Sequence, residues 1–192
     1  MRPLSRGEVH EYWRSPPAMN RAKRYVGRPG ARSVVRLAGE YVGKDARILE
    51  LGCSVGVTLD AMRTAGYHNL TGIEINTESV ELMRQLYPDL MEEATILTGS
   101  IEEHLPGLGE YDLIYSKAVL CHIHPRSETI FEQMAERARW IITVEDELTS
   151  GSGRHFPRNY RRVFAPFGFK QVEFVHAPEG MGAPYVARLL AR

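Results

Sequence analysis

Ile48-Leu49-Glu50-Leu51-Gly52-Cys53-Ser54-Val55-Gly56 is a short apolar run that breaks into a glycine-flanked loop. A nearly continuous run of this kind reads as a strand covered on both faces. Gly52 and Gly56 admit backbone conformations and close approaches that a Cβ would block, so a flat or extended ligand can lie on the loop at the carboxyl edge of the strand. The next apolar run ends Gly72-Ile73-Glu74-Ile75 and puts a carboxylate 22 residues beyond Gly52. From that place an acid can accept both hydroxyls of an adenosine ribose. Each signal alone is common. Their order and spacing together predict a ligand loop for something nucleotide-like rather than an ordinary strand–helix turn.

Outward from this loop, strands are predicted at Arg47–Leu51, Asn69–Ile75, Ala94–Thr98, Tyr111–Ser116 and Trp140–Glu145. Helical periodicity fills the gaps at Val57–Ala65, Glu78–Tyr87 and Ser127–Ala138. Strand starts fall 17 to 29 residues apart, the interval of a strand plus a crossover helix, which predicts a doubly wound, mostly parallel sheet with helices on both faces. After Glu145 a polar stretch, Thr149-Ser150-Gly151-Ser152-Gly153, leads to a short helix near Pro157–Ala165. The alternating runs Lys170–Val175 and Tyr185–Leu190 then predict a terminal antiparallel pair, for seven strands in all. Residues 1–44 hold one predicted helix, Ala31–Val42, after an irregular stretch with Pro16-Pro17 and Pro29-Gly30. They are expected to cap the sheet of residues 45–192 within one domain, because about 40 residues cannot build a core of their own.

Composition bounds the function. The chain has 192 residues, 43% apolar and 25% charged, with 24 Lys+Arg against 24 Asp+Glu, which excludes a disordered or collagen-like chain. The neutrality is a cancellation: residues 1–44 sum to +7, residues 45–150 to −12 and residues 151–192 to +5. Cys53 and Cys121 are too few for a disulfide framework, which suits a reducing compartment, and no apolar run approaches the ~20 residues of a membrane span. A cytoplasmic protein with no membrane partner is expected.

Two cofactor classes use such a loop. The dinucleotide fingerprint wants glycine at residues 54 and 57, where Ser54 and Val57 stand, and no tyrosine here forms a Tyr-x-x-x-Lys pair, so a nucleotide-linked oxidoreductase is the weaker alternative. Over residues 45–192 the chain resembles the class I S-adenosylmethionine-dependent methyltransferases. Glu50, Gly52 and Gly56 match their acid-x-Gly-x-Gly-x-Gly motif, with Ser54 in place of the middle glycine. Glu74 stands at the ribose acid, and Thr98-Gly99-Ser100-Ile101 at the adenine loop, with Ser100 where an Asp usually stands. Tyr111-Asp112-Leu113-Ile114-Tyr115-Ser116 with Leu120-Cys121-His122 is similar to the fourth-strand motif, and Phe167-Gly168-Phe169 to the Gly-Phe turn before the sixth strand. The resemblance implies a seven-stranded Rossmann-like fold and S-adenosyl-L-methionine as cofactor, with S-adenosyl-L-homocysteine as product. It also implies that Glu50, Gly52, Cys53, Ser54, Gly56, Glu74, Ile75, Ser100, Ile101 and Ser116 hold that cofactor. It is nearly silent about the methyl acceptor.

Methyl transfer from a sulfonium needs positioning above all, and a base only where the acceptor must lose a proton. In open α/β sheets the acceptor lies beyond the carboxyl ends of the strands. His122, after strand 4, titrates near neutrality and is the candidate base; Glu145, at the end of strand 5, and His155 just beyond are the other catalytic candidates. No metal is expected, since His122-x-His124 at a helix start turns the two rings about 200° apart. The expected partner is a small-molecule acceptor. A nucleic-acid acceptor is the alternative, disfavoured because no Asn-Pro-Pro-Tyr or Asp-Pro-Pro-Tyr element follows strand 4, where Ser116-Lys117-Ala118-Val119 stands. Tyr12, Trp13 and Tyr25 are candidates for a lid over the cofactor. If the basic excess of the two ends serves binding, the acceptor is anionic.

Overall fold

A computed structural model describes residues 2–149 and 152–192. Of the predicted polar stretch 149–153, Ser150 and Gly151 therefore lie outside the described residues. Seven strands form one sheet: β1 (Ile48–Leu51), β2 (Leu70–Glu74), β3 (Thr95–Thr98), β4 (Tyr111–Lys117), β5 (Ala138–Asp146), β6 (Lys170–His176) and β7 (Tyr185–Ala191). Their order is β3-β2-β1-β4-β5-β7-β6, with β1 to β5 parallel and β7 inserted antiparallel to both β5 and β6. This is the doubly wound sheet expected from the spacing of the apolar runs, with the Rossmann-like architecture that the resemblance implies.

The helices are α1 (Arg6–Arg14), α2 (Ala31–Tyr41), α3 (Val57–Thr64), α4 (Thr77–Leu86), α5 (Pro88–Glu93), α6 (Ile101–His104), α7 (Thr129–Arg137) and α8 (Tyr160–Phe164). All four residues of β1 are buried, yet they serve two different layers. Ile48 joins Tyr115, Ile142, Leu37 and Met62 on one face, whereas Leu49 and Leu51 join Ile114, Ile141, Phe131 and Phe164 on the other. The period-2 alternation of a strand divides a continuous apolar run between two cores. By contrast β6, at the sheet edge, alternates exposed and half-buried residues and carries a bulge between Gln171 and Glu173.

α2 supplies Val34, Leu37 and Ala38 to the first core, so it belongs to one covering layer of the sheet. Three helices escaped the periodicity reading: α1, α5 and α6. Both α1 and α6 are polar and short of buried residues, but each opens on a capping box, Ser5 with Glu8 and Ser100 with Glu103. Ser-x-x-Glu was the legible signal, because the two side chains satisfy two backbone N–H groups that a helix start leaves open. No helix of the described residues is long and apolar enough to cross a membrane.

Candidate active site

The carboxyl ends of β1, β2 and β4 open into a cavity of about 400 Å3. Its floor is the loop after β1, and its roof is built from Val9, His10, Trp13, Pro16, Asn20 and Tyr25. The roof is tied down at several points. His10 Nε2 meets Glu102 Oε1 at 2.9 Å, joining α1 to α6, and the Leu4 N–H donates to the Gly153 carbonyl at 2.6 Å. Asn20 Nδ2 donates to Tyr12 Oη at 2.8 Å.

The floor is set by hydrogen bonds. The N–H groups of Gly52 and Cys53 both donate to the Ile73 carbonyl, at 2.9 and 3.0 Å, which locks the loop to the end of β2. Glu74, buried, accepts from the Ser54 N–H at 2.7 Å and from the Asn76 N–H at 2.8 Å, one to each carboxylate oxygen. Ser54 takes φ +51°, the left-handed region that favours glycine, so the residue that departs from the glycine pattern keeps the backbone shape of one. Gly52 and Gly56 have φ +71° and +82°. The close approach they permit is made by the protein itself: a Cβ on Gly52 would lie 2.8 Å from Val119 Cγ1, and one on Gly56 would lie 2.6 Å from Met83 Cγ. Neither space is left for a ligand. The glycines shape the loop that floors the cavity.

Of the residues singled out from sequence, Glu50, Gly52, Cys53, Ser54, Glu74, Ile75, Ser100, Ile101 and His122 line this one cavity. Gly56, Ser116, Glu145 and His155 do not. Ser100 is spent on capping α6, with its hydroxyl accepting from the Glu103 N–H at 3.3 Å, while Ile101 offers an apolar surface beside it.

Glu50 is buried and accepts from Tyr115 Oη at 2.9 Å. Burial pushes its carboxyl up to about 7, against the opposing charge of Lys117 and the Tyr115 hydrogen bond. Lys117, at the end of β4, also lines the cavity, and burial pushes its ammonium down. A carboxyl raised in the folded state favours folding fully below its unfolded value near 4.5, and that contribution is lost as pH rises through about 7. Glu50→Gln removes this titration. Urea unfolding at pH 5 and pH 8 is expected to show the variant gaining about 3 kcal/mol on the wild type between the two; parallel pH dependences would refute it.

Glu145 faces inward rather than toward the cavity, contrary to the expectation of an acceptor-side group. It is fully buried and accepts from Ser116 Oγ at 2.6 Å and from the N–H groups of Val119, Leu120 and Cys121 at 3.1, 3.1 and 3.2 Å. These four donors account for Ser116 as well. The carboxylate holds the turn after β4, and thereby the Val119 that packs on Gly52. Burial pushes its carboxyl up, and the hydrogen bonds oppose that.

His122 stands on the turn that Glu145 holds. Its Nδ1 lies 3.0 Å from the Arg154 carbonyl, which can only accept, so Nδ1 carries the proton and Nε2 is left with a free lone pair. Burial pushes its imidazole down to about 4, so the ring is neutral at pH 7. His155 lies behind it, ring centroids 5.2 Å apart, with Nδ1 on the Thr149 carbonyl and Nε2 3.9 Å from Asp146. Ligand atoms of Cys121, His122 and His155 lie within 4.8 Å of one another, but the Nδ1 atoms of both histidines are engaged with backbone carbonyls. His124 also lines the cavity, with its Nδ1 accepting from the Arg126 N–H at 3.1 Å.

Spacing did not reveal Asn76, Ser79, Lys117, Arg154, Met181 or Tyr185, all of which line the cavity. Lys117 alone had a local signal, a charge at the carboxyl end of a buried strand. The others arrive from segments far apart in the chain. Much of the basic excess is spent elsewhere: Arg32 pairs with Glu179 at 2.8 Å, and Arg36 with Glu40 and Glu173 at 2.8 and 2.6 Å.

A family model of a methyltransferase domain matches residues 48–139, from β1 into the start of β5. Among solved structures, the chain is similar to magnesium protoporphyrin IX methyltransferase (ChlM) from Synechocystis PCC 6803 with bound SAH. That likeness has a TM-score of 0.78 and 18% identity over 97% of this chain and 99% of that one. It is also similar to the 1,6-didemethyltoxoflavin-N1-methyltransferase of Burkholderia thailandensis, at 0.76 and 15% over 100% and 92%. PH1948 from Pyrococcus horikoshii, named as a candidate RNA methyltransferase, gives 0.66 and 11% over 98% of each chain. No curated protein sequence matches the chain. The domain match, the strand order β3-β2-β1-β4-β5-β7-β6 and the acid-bearing loops at the ends of β1 and β2 agree. Residues 48–139 match a methyltransferase domain, and the whole chain shares its fold with methyltransferases solved with bound S-adenosylhomocysteine.

Proposed function

We propose that this enzyme methylates an oxygen or nitrogen of a small anionic molecule in the cytoplasm, with residues 1–44 serving in part as a cap over the reaction. The observation that carries this reading is the roofed cavity in which buried Glu74 and neutral His122 share one lining. S-adenosylmethionine, when bound, supplies an activated methyl on a sulfonium, open to in-line displacement.

The chain's own residues do the rest. Glu74 is suited to accept the two ribose hydroxyls, and Ile101 to cover the adenine. Glu50 and Lys117 offer opposite charges to the amino and carboxylate groups of the amino-acid tail, with the backbone after β1 beneath. His122 Nε2 accepts a hydrogen bond from the O–H or N–H of the acceptor, orients it, and takes its proton as the new bond forms. The roof excludes bulk water from the exchange.

A small acceptor is favoured over a nucleic acid because Trp13, Pro16 and Tyr25 stand over the site. The similar ChlM and toxoflavin enzymes, by their names, also act on small molecules. Calorimetry with S-adenosylhomocysteine and with NAD tests the cofactor, and transfer of labelled methyl to a cell extract tests the acceptor. The homologue of the cofactor is expected to bind and NAD not to bind. Label is expected in the small-molecule fraction, and label in RNA or DNA would overturn the acceptor class.

A further inference from the structure

Two buried nitrogen donors in the cavity lining have no acceptor among the described residues: Trp13 Nε1 and Arg154 Nε. A buried N–H without a partner carries a desolvation cost, and native structures leave few of them. Both belong to residues that touch His122. The indole of Trp13 packs on its ring with centroids 4.7 Å apart, and the Arg154 carbonyl accepts from its Nδ1. The Arg154 guanidinium lies 4.5 Å over the Tyr12 ring, and no carboxylate of the described residues pairs with it. Of the other charged groups of the lining, Glu74 is held by backbone N–H groups and Arg28 lies over the Tyr25 ring. Glu50 acts on Lys117, and Glu102 pairs with His10 at 2.9 Å. The same lining offers the apolar side chains of Val9, Val119 and Ile123.

We infer that the methyl acceptor carries an anionic oxygen group on an apolar body, and that Arg154 and the Trp13 indole N–H bind that group beside His122. This rests on the methyltransferase reading above. It moves recognition of the anion away from the basic excess of the chain's two ends as a whole and into the cavity. An oxyanion supplies both missing acceptors at once, and a guanidinium hydrogen bond to an ionised group is among the stronger ones. The apolar body then fills the space against Val119 and Ile123.

The test uses the full chain saturated with S-adenosylhomocysteine, titrated with benzoate, phenyl phosphate and the neutral, near-isosteric benzamide. At least one of the two anions is expected to bind more than about tenfold tighter than benzamide, and the tighter one distinguishes a carboxylate from a phosphoryl group. Arg154→Met keeps an unbranched apolar stem over Tyr12, and Trp13→Phe keeps an aromatic ring. Each is expected to weaken the anion roughly ten- to hundredfold while S-adenosylhomocysteine binds within threefold of wild type. Equal binding of benzamide, absence of anion binding at millimolar concentration, or full anion affinity in both variants overturns the proposal. Failure of the wild type to bind S-adenosylhomocysteine strikes first at the methyltransferase reading, and the proposal falls with it. Should either variant fold poorly, the contrast between benzoate and benzamide in the wild type still decides.

Discussion

Glu74→Ala is expected to raise the dissociation constant for S-adenosylhomocysteine by about 10²- to 10³-fold. The side chain lies in the cavity lining at the end of β2, buried, with one oxygen fixed by the Ser54 N–H and the other by the Asn76 N–H. Those bonds orient the carboxylate before any ligand arrives, so little ordering is left to do on binding. Hydrogen bonds to a charged acceptor contribute roughly 1.5–3 kcal/mol each, and two of them near the lower end of that range convert to about two to three decades of affinity. Glu74→Gln keeps one acceptor oxygen and is expected to lose only about tenfold. Calorimetry on both variants measures this directly. A loss below tenfold in Glu74→Ala would remove the ribose role from this residue, whatever the rest of the loop does.

Glu145→Ala is expected to damage folding before chemistry. Its four donors, Ser116 Oγ and three successive backbone N–H groups, would be stranded in a buried site. Removing one side of such a network costs about 3–5 kcal/mol. For a chain of this size that lowers Tm by roughly 10–15 °C. The turn after β4 would loosen, and with it the Val119 packed on Gly52 and the placement of His122. Thermal unfolding and kcat measured on the same preparation separate the two roles. A hundredfold loss of kcat with Tm unchanged would mean that Glu145 acts on the acceptor after all; a large fall in Tm assigns it to the loop.

The contrast between these two acids shows how far residue patterns reach. Both stand at the carboxyl end of a buried parallel strand, Glu74 on β2 and Glu145 on β5, and a one-dimensional reading treats them alike. Their neighbours differ. The turn after β4 folds back over Glu145 and presents its N–H groups to the carboxylate, whereas the loop after β1 stops beside Glu74 and leaves it in the cavity lining. Which turn covers which strand end depends on the sheet order, because β4 lies between β1 and β5. His155 shares the fate of Glu145: it packs behind His122 and supports the ring that lines the cavity.

The polar helix α1 marks another boundary. It is polar overall, with Val9 its only buried residue, yet Ser5 and Glu8 announce its start. What it covers could not be read from its own residues. His10 finds Glu102 across 92 residues of chain, and Trp13 finds His122 across more than a hundred.

Local residue order sufficed for the architecture and for most of the loop residues that line the cavity. Strand–helix alternation, a glycine-flanked turn after β1 and an acid at the end of β2 are short-range constraints, and backbone sterics and hydrophobic periodicity act within a few residues. The division of the remaining acids and histidines into those that face the cavity and those that hold a turn was settled only by tertiary packing. So was the meeting of Trp13, His122 and Arg154 at one wall. Burial, and with it the cost of an unpaired donor or an unsolvated charge, is a property of the neighbours that the folded chain brings together, and those neighbours are distant in sequence.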